Sequence, residues 1–245
     1  MGVSRDVPTP ASALAIAAHP DDAEFGCGGT LAKWSAAGAV CHHLVLTDGS
    51  KGSWDPTSDA SALVADRQDE QRAAAKALGC TGEVAFLGRV DGELDSDLAA
   101  RAEVARWIRT LRPDVVLGHD PWRRYRLHPD HRHAGLLAIE GVVAARDPHF
   151  FAEQALESWR PTAILLWEAD DVDHVEDVTG HVDAKLAALD AHVSQLRSTM
   201  GVVVGDPDEP AQRAAFARRV RDRLATFGRR IGVASGEGFK LLTDL

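Results

Sequence analysis

Apolar positions along the chain fall into two alternating rhythms, short continuous runs and longer stretches at helical spacing. Ser12 to Ala18 is a continuous apolar run ending at His19-Pro20, which suits a buried strand of a parallel sheet. Helical spacing follows from about Gly29 to Ala37, with Gly38 as its C-terminal stop. Val40 to Leu46 reads as a second strand, leading into the polar loop Thr47-Asp48-Gly49-Ser50-Lys51-Gly52. The alternation then repeats: helix over Ala62–Leu78, strand over Val84–Leu87, helix over Asp97–Leu111, strand over Val115–Gly118, helix over His131–Ala145 and strand over Ala163–Trp167. Val175–Val178 reads as a short strand, Ala184–Leu196 as a helix, and Gly201–Pro210 as an irregular insertion or lid. An Arg-rich helix over Ala211–Phe227 and a terminal strand over Gly236–Leu242 close the chain. Strands alternating with helices of this length imply right-handed βαβ units. The expected fold is α/β and Rossmann-like, a mostly parallel sheet with helices on both faces. Residues 1–245 are expected to form one domain, with a C-terminal elaboration from about residue 200.

Composition narrows the function classes. With 245 residues, 45% of them apolar, the chain can bury a large core without disulfides. Lys+Arg number 27 against 37 Asp+Glu, and a net charge of −10 repels polyphosphate, so neither nucleic acid nor an anionic membrane is an expected partner. Cys27, Cys41 and Cys80 are scattered, which suggests no disulfide framework and no Cys-based zinc knuckle. No stretch approaches the roughly 20 apolar residues of a membrane helix, and the N-terminal run is too short for a signal peptide. The expected setting is the cytoplasm, and the expected partner a small-molecule substrate.

The eleven His and the many carboxylates become chemistry through their placement. In an open α/β sheet the ligand crevice lies beyond the carboxyl ends of the strands. There the first strand ends in His19-Pro20-Asp21-Asp22, and the segment after Gly118 holds His119, Asp120 and His128-Pro129-Asp130-His131. A catalytic zinc takes three N/O ligands and leaves one position open, and hydrolysis at it also needs a base and a proton donor. Two neighbouring loops supply all of these types. Spacing alone does not choose between Asp21 and Asp22 as ligand and base, nor between His128 and His131.

These segments resemble the paired signatures of the LmbE/PIG-L zinc-dependent N-deacetylases: Ala18-His19-Pro20-Asp21-Asp22, the Gly-rich helix start after it, and His128-Pro129-Asp130-His131. The resemblance extends through Thr47-Asp48-Gly49, Arg67 with Glu70, Leu87 to Asp91 and His192 with Gln195, about residues 12 to 198. It implies an LmbE-like fold and removal of N-acetyl from an N-acetylglucosamine-type glycoside or related amino compound. It implies one Zn2+ per chain, or another divalent ion, held by His19, Asp22 and His131. Asp21 would be the general base, and His128, oriented by Asp130, would stabilise the oxyanion or protonate the departing amine. Arg67 and Asp91 would grip sugar hydroxyls or a nearby anion. Arg126 stands where some sugar-thiol deacetylases carry a Tyr. An amidase cutting a thiol-glycoside conjugate is the alternative within this class.

Blander or different roles compete for several residues. Asp21 and Asp22 suit a helix N-cap. Gly26, Gly28 and Gly29 look like part of a dinucleotide fingerprint, which would make the chain a non-catalytic nucleotide-binding module, but Leu31 replaces its third Gly and close packing of the helix explains them better. His42 and His43 are expected to be structural. His119 and Asp120 are expected beside the site or as loop geometry, and His192 and Gln195 within reach of it. Trp54 and Trp122 are the candidates for stacking on a sugar, and Arg123, Arg124 and Arg126 for a solvated rim or an anion-binding mouth.

Overall fold

A computed structural model describes residues 2–245. Its elements in chain order are β1 (Ser4–Arg5), β2 (Ser12–Ala17), α1 (Asp22–Ala36), β3 (Val40–Thr47), α2 (Ala60–Ala77), β4 (Val84–Arg89), α3 (Leu98–Leu111), β5 (Val115–His119), α4 (Pro129–Arg146), β6 (Ala163–Trp167), β7 (His174–Asp177), α5 (Val182–Asp190), α6 (Glu209–Ile231) and β8 (Gly236–Leu242). The strands form one sheet in the order β1-β7-β8-β6-β5-β2-β3-β4. Every pairing is parallel except those of β8, which runs antiparallel to both β6 and β7.

Burial of β2 on both faces explains its continuous apolar run. Successive strand side chains point to opposite faces. Ala13, Ala15 and Ala17 therefore pack with Leu31 and Trp34 of α1, while Leu14 and Ile16 pack with Ile108 of α3 and Leu137 of α4. A third cluster joins Leu189, Leu196 and Met200 to Phe216, Val220 and Leu224 of α6. Among the described residues no helix is long and apolar enough to cross a membrane.

Two helix boundaries differ from the pattern. α1 begins at Asp22, a full turn and more before Gly29, and is kinked at Cys27 (φ −143°, ψ 17°). The glycines that disguise its start are there for packing: a Cβ on Gly26 would lie 2.5 Å from the Trp167 ring, and Gly29 N–H donates to Glu237 Oε1 at 2.9 Å. The expected helix over Ala184–Leu196 stops instead at Asp190, followed by a 3₁₀ turn (Val193–Gln195) and a π turn (Leu196–Met200). Glu70 takes both Ser194 N–H (2.7 Å) and Ser194 Oγ–H (2.6 Å), a side-chain substitute for the helical ladder. Within the expected irregular segment, Gly201 is left-handed (φ +73°) and α6 already starts at Glu209, with Pro210 in its first turn.

Candidate metal centre and its cleft

The sharp turn after β2 sets the site. Asp21 has φ +102°, a left-handed conformation that costs a non-glycine residue about 1–3 kcal/mol and must be held by its surroundings. The holding group is Gln71 of α2, whose Oε1 accepts Asp21 N–H at 3.0 Å while its Nε2 donates to Glu24 Oε1 at 2.7 Å. Arg67 supports the same turn, donating from Nη2 to Pro20 O at 2.6 Å and from Nη1 to Gly49 O at 3.0 Å, with Nη2 3.6 Å from Asp21 Oδ2. Burial pushes the Asp21 carboxyl up to about 6 against the pull of Arg67.

Asp22 is the point on which the imidazoles converge. His19 Nδ1 and His119 Nε2 each lie 3.3 Å from its Oδ2, and His131 Nε2 lies 3.3 Å from its Oδ1. His128, at the N-cap of α4, sets its ring 4.6 Å from that of His19 and 5.0 Å from that of His131. Burial opposes the charge on Asp22, but the His131 and His119 rings outweigh it and hold the carboxyl well below the usual range. Burial takes His131 down to about 4, so its imidazole is neutral near pH 7.

The donor set fits a divalent cation. His19 Nε2 faces Asp130 Oδ2 (3.1 Å) and Asp91 Oδ1 (3.2 Å), so its hydrogen belongs there and the Nδ1 lone pair meets the Asp22 carboxylate. Two electron-rich atoms so placed need a proton or a shared cation between them. Without the cation, the contacts to Asp130, Asp22 and Asp91 overcome burial and raise the His19 pKa well above its ordinary value. Arg126 Nη1 lies 3.0 Å from His131 Nδ1 and donates to Glu168 Oε2 at 2.6 Å. A guanidinium only donates, so a cation on His131 Nε2, which moves the ring hydrogen to Nδ1, requires Arg126 to give way towards Glu168.

Several sequence expectations change here. Asp130 does not serve His128: its carboxylate bonds His19 Nε2, Gly92 N–H (2.6 Å) and Leu94 N–H (3.2 Å), so the ring it orients is His19. Its place on the one buried side of the first turn of α4 aims it inward, whereas His128 is exposed to the cleft. Arg67 and Asp91 line the cleft, but both Arg67 Nη groups are engaged within the protein, with Gly49 O and Pro20 O, and Asp91 is engaged with His19 and with Lys51 N–H (3.1 Å). His192 is fully buried behind the site, 3.4 Å from Glu24 Oε2, with His43 Nε2 3.4 Å from Glu24 Oε1. Gln195 does line the cleft, which has a volume of about 450 Å³. Trp54 and Trp122 are 88% and 62% exposed and lie outside its lining. Arg126 is no solvated rim residue, while Tyr125 is 93% exposed. Sequence reasoning passed over Glu168 altogether. It directly follows β6, and the rule that ligands gather beyond strand carboxyl ends points to it.

A cleft beyond the carboxyl ends of the strands, with converging His and Asp donors beside a buried, strained carboxylate, has the groups that metal-assisted hydrolysis uses. The chain belongs to the PIG-L family, described as GlcNAc-PI de-N-acetylase, whose pattern matches residues 14–142. It is 36% identical over 185 residues to a diacetylchitobiose deacetylase of Thermococcus kodakarensis, covering 74% of this chain and 69% of that one. It is 30% identical over 241 residues to a 1D-myo-inositol 2-acetamido-2-deoxy-alpha-D-glucopyranoside deacetylase of Streptomyces griseus, covering 75% and 74%. The solved N,N'-diacetylchitobiose deacetylase of Pyrococcus horikoshii superposes with a TM-score of 0.83 at 31% identity, over 96% of this chain and 84% of that one. A 4-carboxy-2-hydroxymuconate hydratase of Pseudomonas putida shares the fold at TM-score 0.75 and 22% identity, over 94% and 95%. The fold alone therefore does not fix the reaction.

Proposed function

We propose that the protein is a zinc-dependent N-deacetylase that hydrolyses the acetamide of an N-acetylglucosamine-type glycoside or related small amino compound. The observation that carries this is the Asp22 carboxylate ringed at 3.3 Å by imidazole nitrogens, next to the buried Asp21 at the mouth of a polar cleft. His19, Asp22 and His131 are the residues assigned to the ion. A divalent ion held there supplies Lewis acidity to the amide carbonyl and to the attacking water. Asp21, already raised to about 6 by burial, takes the proton of that water. His128 faces the cleft beside both His19 and His131, in position to donate to the developing oxyanion or to the departing nitrogen. Asp130 fixes His19 through Nε2. Arg67 and Asp91 present the wall that a sugar would meet, and they act first by holding Asp21 and His19.

The deacetylases among its relatives support an acetylated amino sugar as substrate, and the engaged glycines of α1 speak against the nucleotide-binding alternative. Three free thiols, Cys27 and Cys41 buried and Cys80 half-buried, suit a reducing cytoplasm. The test is release of primary amine and acetate from a panel of N-acetylglucosaminides by protein stripped of metal and reloaded with zinc. Zinc-dependent release of both products is the expected result. Amine released from a thiol-glycoside conjugate added to the panel, with neither amine nor acetate from the acetamides, would move the activity to the conjugate-cleaving amidase, and no amine from any member would end the sugar reading.

A further inference from the structure

A second hollow, of about 210 Å³, lies beside the cleft. Phe216, Leu224 and Phe227 of α6 wall it, with Gly238 of β8 behind. Phe25, Glu168, Thr199 and Arg223 line both the hollow and the cleft, so the two are immediate neighbours. The strand order says where it lies. The candidate metal residues sit at the ends of β2 and β5 in the middle of the sheet. Lys51 and Gly52 follow β3, and Asp91 and Gly92 follow β4, on one flank; Glu168 follows β6 and Gly238 lies in β8, on the other. A polar wall and a hollow with one aromatic and aliphatic side thus flank the site on opposite sides.

Glu168, Lys185, Arg219, Arg223 and Glu237 also line the hollow, and all but Arg223 are engaged within the protein: Glu168 accepts from Arg126 Nη1 at 2.6 Å, and Arg219 Nη2 donates to Met200 O at 2.7 Å. Lys185 Nζ donates to Glu237 Oε1 at 2.6 Å and to Phe25 O at 2.8 Å, and Glu237 also accepts from Gly29 N–H, Thr30 N–H and Thr30 Oγ–H. This buried pair is internally satisfied, leaving the wall of Phe25, Phe216, Val220, Leu224 and Phe227, together with the exposed Arg223, to define what binds. A cavity of about 150 Å³ suffices for benzene, so this one has room for a short alkyl chain or a ring.

An amide sugar–NH–CO–R joins its two halves at the carbonyl. With the carbonyl beside Asp21 and Asp22 and the hydroxyl-bearing sugar against Lys51, Gly52 and Asp91, R is directed to the opposite flank. We propose that the hollow receives the acyl group, and that the protein hydrolyses amino sugars carrying short alkyl or aryl acyl groups larger than acetyl. This rests on the amide-hydrolysis reading above and extends it. Water is the only co-reactant: its oxygen bonds the carbonyl carbon, the C–N bond breaks, the nitrogen leaves protonated as the amine, and R departs as a carboxylate past the exposed Arg223.

The experiment compares glucosamine N-acylated with acetyl, butanoyl, hexanoyl and phenylacetyl groups, for wild type and for Leu224→Trp, which fills the hollow, with Leu224→Phe as a milder variant. Unfolding midpoints show that each variant is folded. In wild type, kcat/KM is expected to rise from acetyl towards hexanoyl, with a ceiling of about fourfold per buried methylene, and the variants should return the preference to acetyl. Acetyl preferred by wild type over every longer group overturns the proposal. So does an advantage confined to the hexyl over the methyl glycoside of N-acetylglucosamine and lost in Leu224→Trp, which gives the hollow to the aglycone. If no amine is released from any member, the amide-hydrolysis reading fails, and calorimetry decides the hollow separately. N-hexanoylglucosamine binding more tightly than N-acetylglucosamine to wild type, with the difference lost in Leu224→Trp, keeps the acyl site; no such difference removes it.

Discussion

Trp167 donates its indole N–H to His119 Nδ1 at 3.0 Å, with both side chains 1% exposed. An indole cannot accept, so the neutral His119 carries its hydrogen on Nε2, facing Asp22 Oδ2 at 3.3 Å. A ring so fixed turns its Nε2–H, rather than a lone pair, towards the Asp22 carboxylate. It holds the carboxylate. His119 is thereby a positioning residue, distinguished from His131, whose Arg126 neighbour has Glu168 to turn to.

Trp167→Phe keeps a ring in the core but frees the His119 tautomer. Partners of this kind are worth about 10–100-fold in metal affinity. Zinc affinity, read by competition with a chromogenic chelator, should fall by that order in Trp167→Phe and in His119→Ala. Unchanged affinity in both would mean that Asp22 is oriented by His19 N–H, 2.7 Å from its Oδ2, and by nothing else.

Asp21→Asn should retain zinc and lose about 10²–10⁴-fold in kcat, the range for a general base. Because burial places the Asp21 carboxyl at about 6, activity rises with pH as the base loses its proton. A bound cation lowers that pKa, so the acid limb of the profile should lie at or below about 6. Full turnover in Asp21→Asn would falsify the assignment.

Removing the ion should cost stability as well as activity. A ligand at about a hundred times its Kd contributes about 2.7 kcal/mol to the native state. For a chain of this size each kcal/mol shifts Tm by about 2–4 °C, so excess chelator should lower the midpoint by about 5–10 °C. His19→Ala should abolish the difference between chelated and loaded protein in a thermal scan.

Glu24 and His192 predict the acid and alkaline limits of the metal-free fold. Burial opposes the charge of each, but their 3.4 Å contact, with His43 beside it, holds Glu24 below its ordinary 4.5 and His192 above its ordinary 6.5. The Glu24 contribution is present above 4.5 and lost as pH falls towards its lowered value. That of His192 is complete below 6.5 and lost as pH rises through its raised value. The midpoint should therefore be highest between these limits, and Glu24→Gln should flatten the profile on both sides. A wild-type profile already flat would remove the pair as its cause.

The alternation of apolar runs and helical stretches specified the α/β class, because a strand buried on both faces and a helix buried on one leave different periods in the sequence. Ala163–Trp167 and Gly236–Leu242 have the bounds their patterns imply. The start of α1 was hidden, because glycines selected for contact with Trp167 and Glu237 carry no helical signal. Local sequence also brought His19, Asp21, Asp22, His128, Asp130 and His131 to the functional edge, since two chain-local motifs follow adjacent parallel strands.

What the chain could not state locally is which atom faces which. Asp130 turns to His19 rather than to its sequence neighbour His128 because α4 buries one face of its first turn. Trp167 and Glu168 reach the site from β6, and Gln71 holds Asp21 from α2, across separations of 48, 42 and 50 residues. The motifs name the donors because each is short and contiguous. Their tautomers, their partners and the hollow beside them depend on the order in which distant strands and helices pack, and that order is a property of the folded sheet.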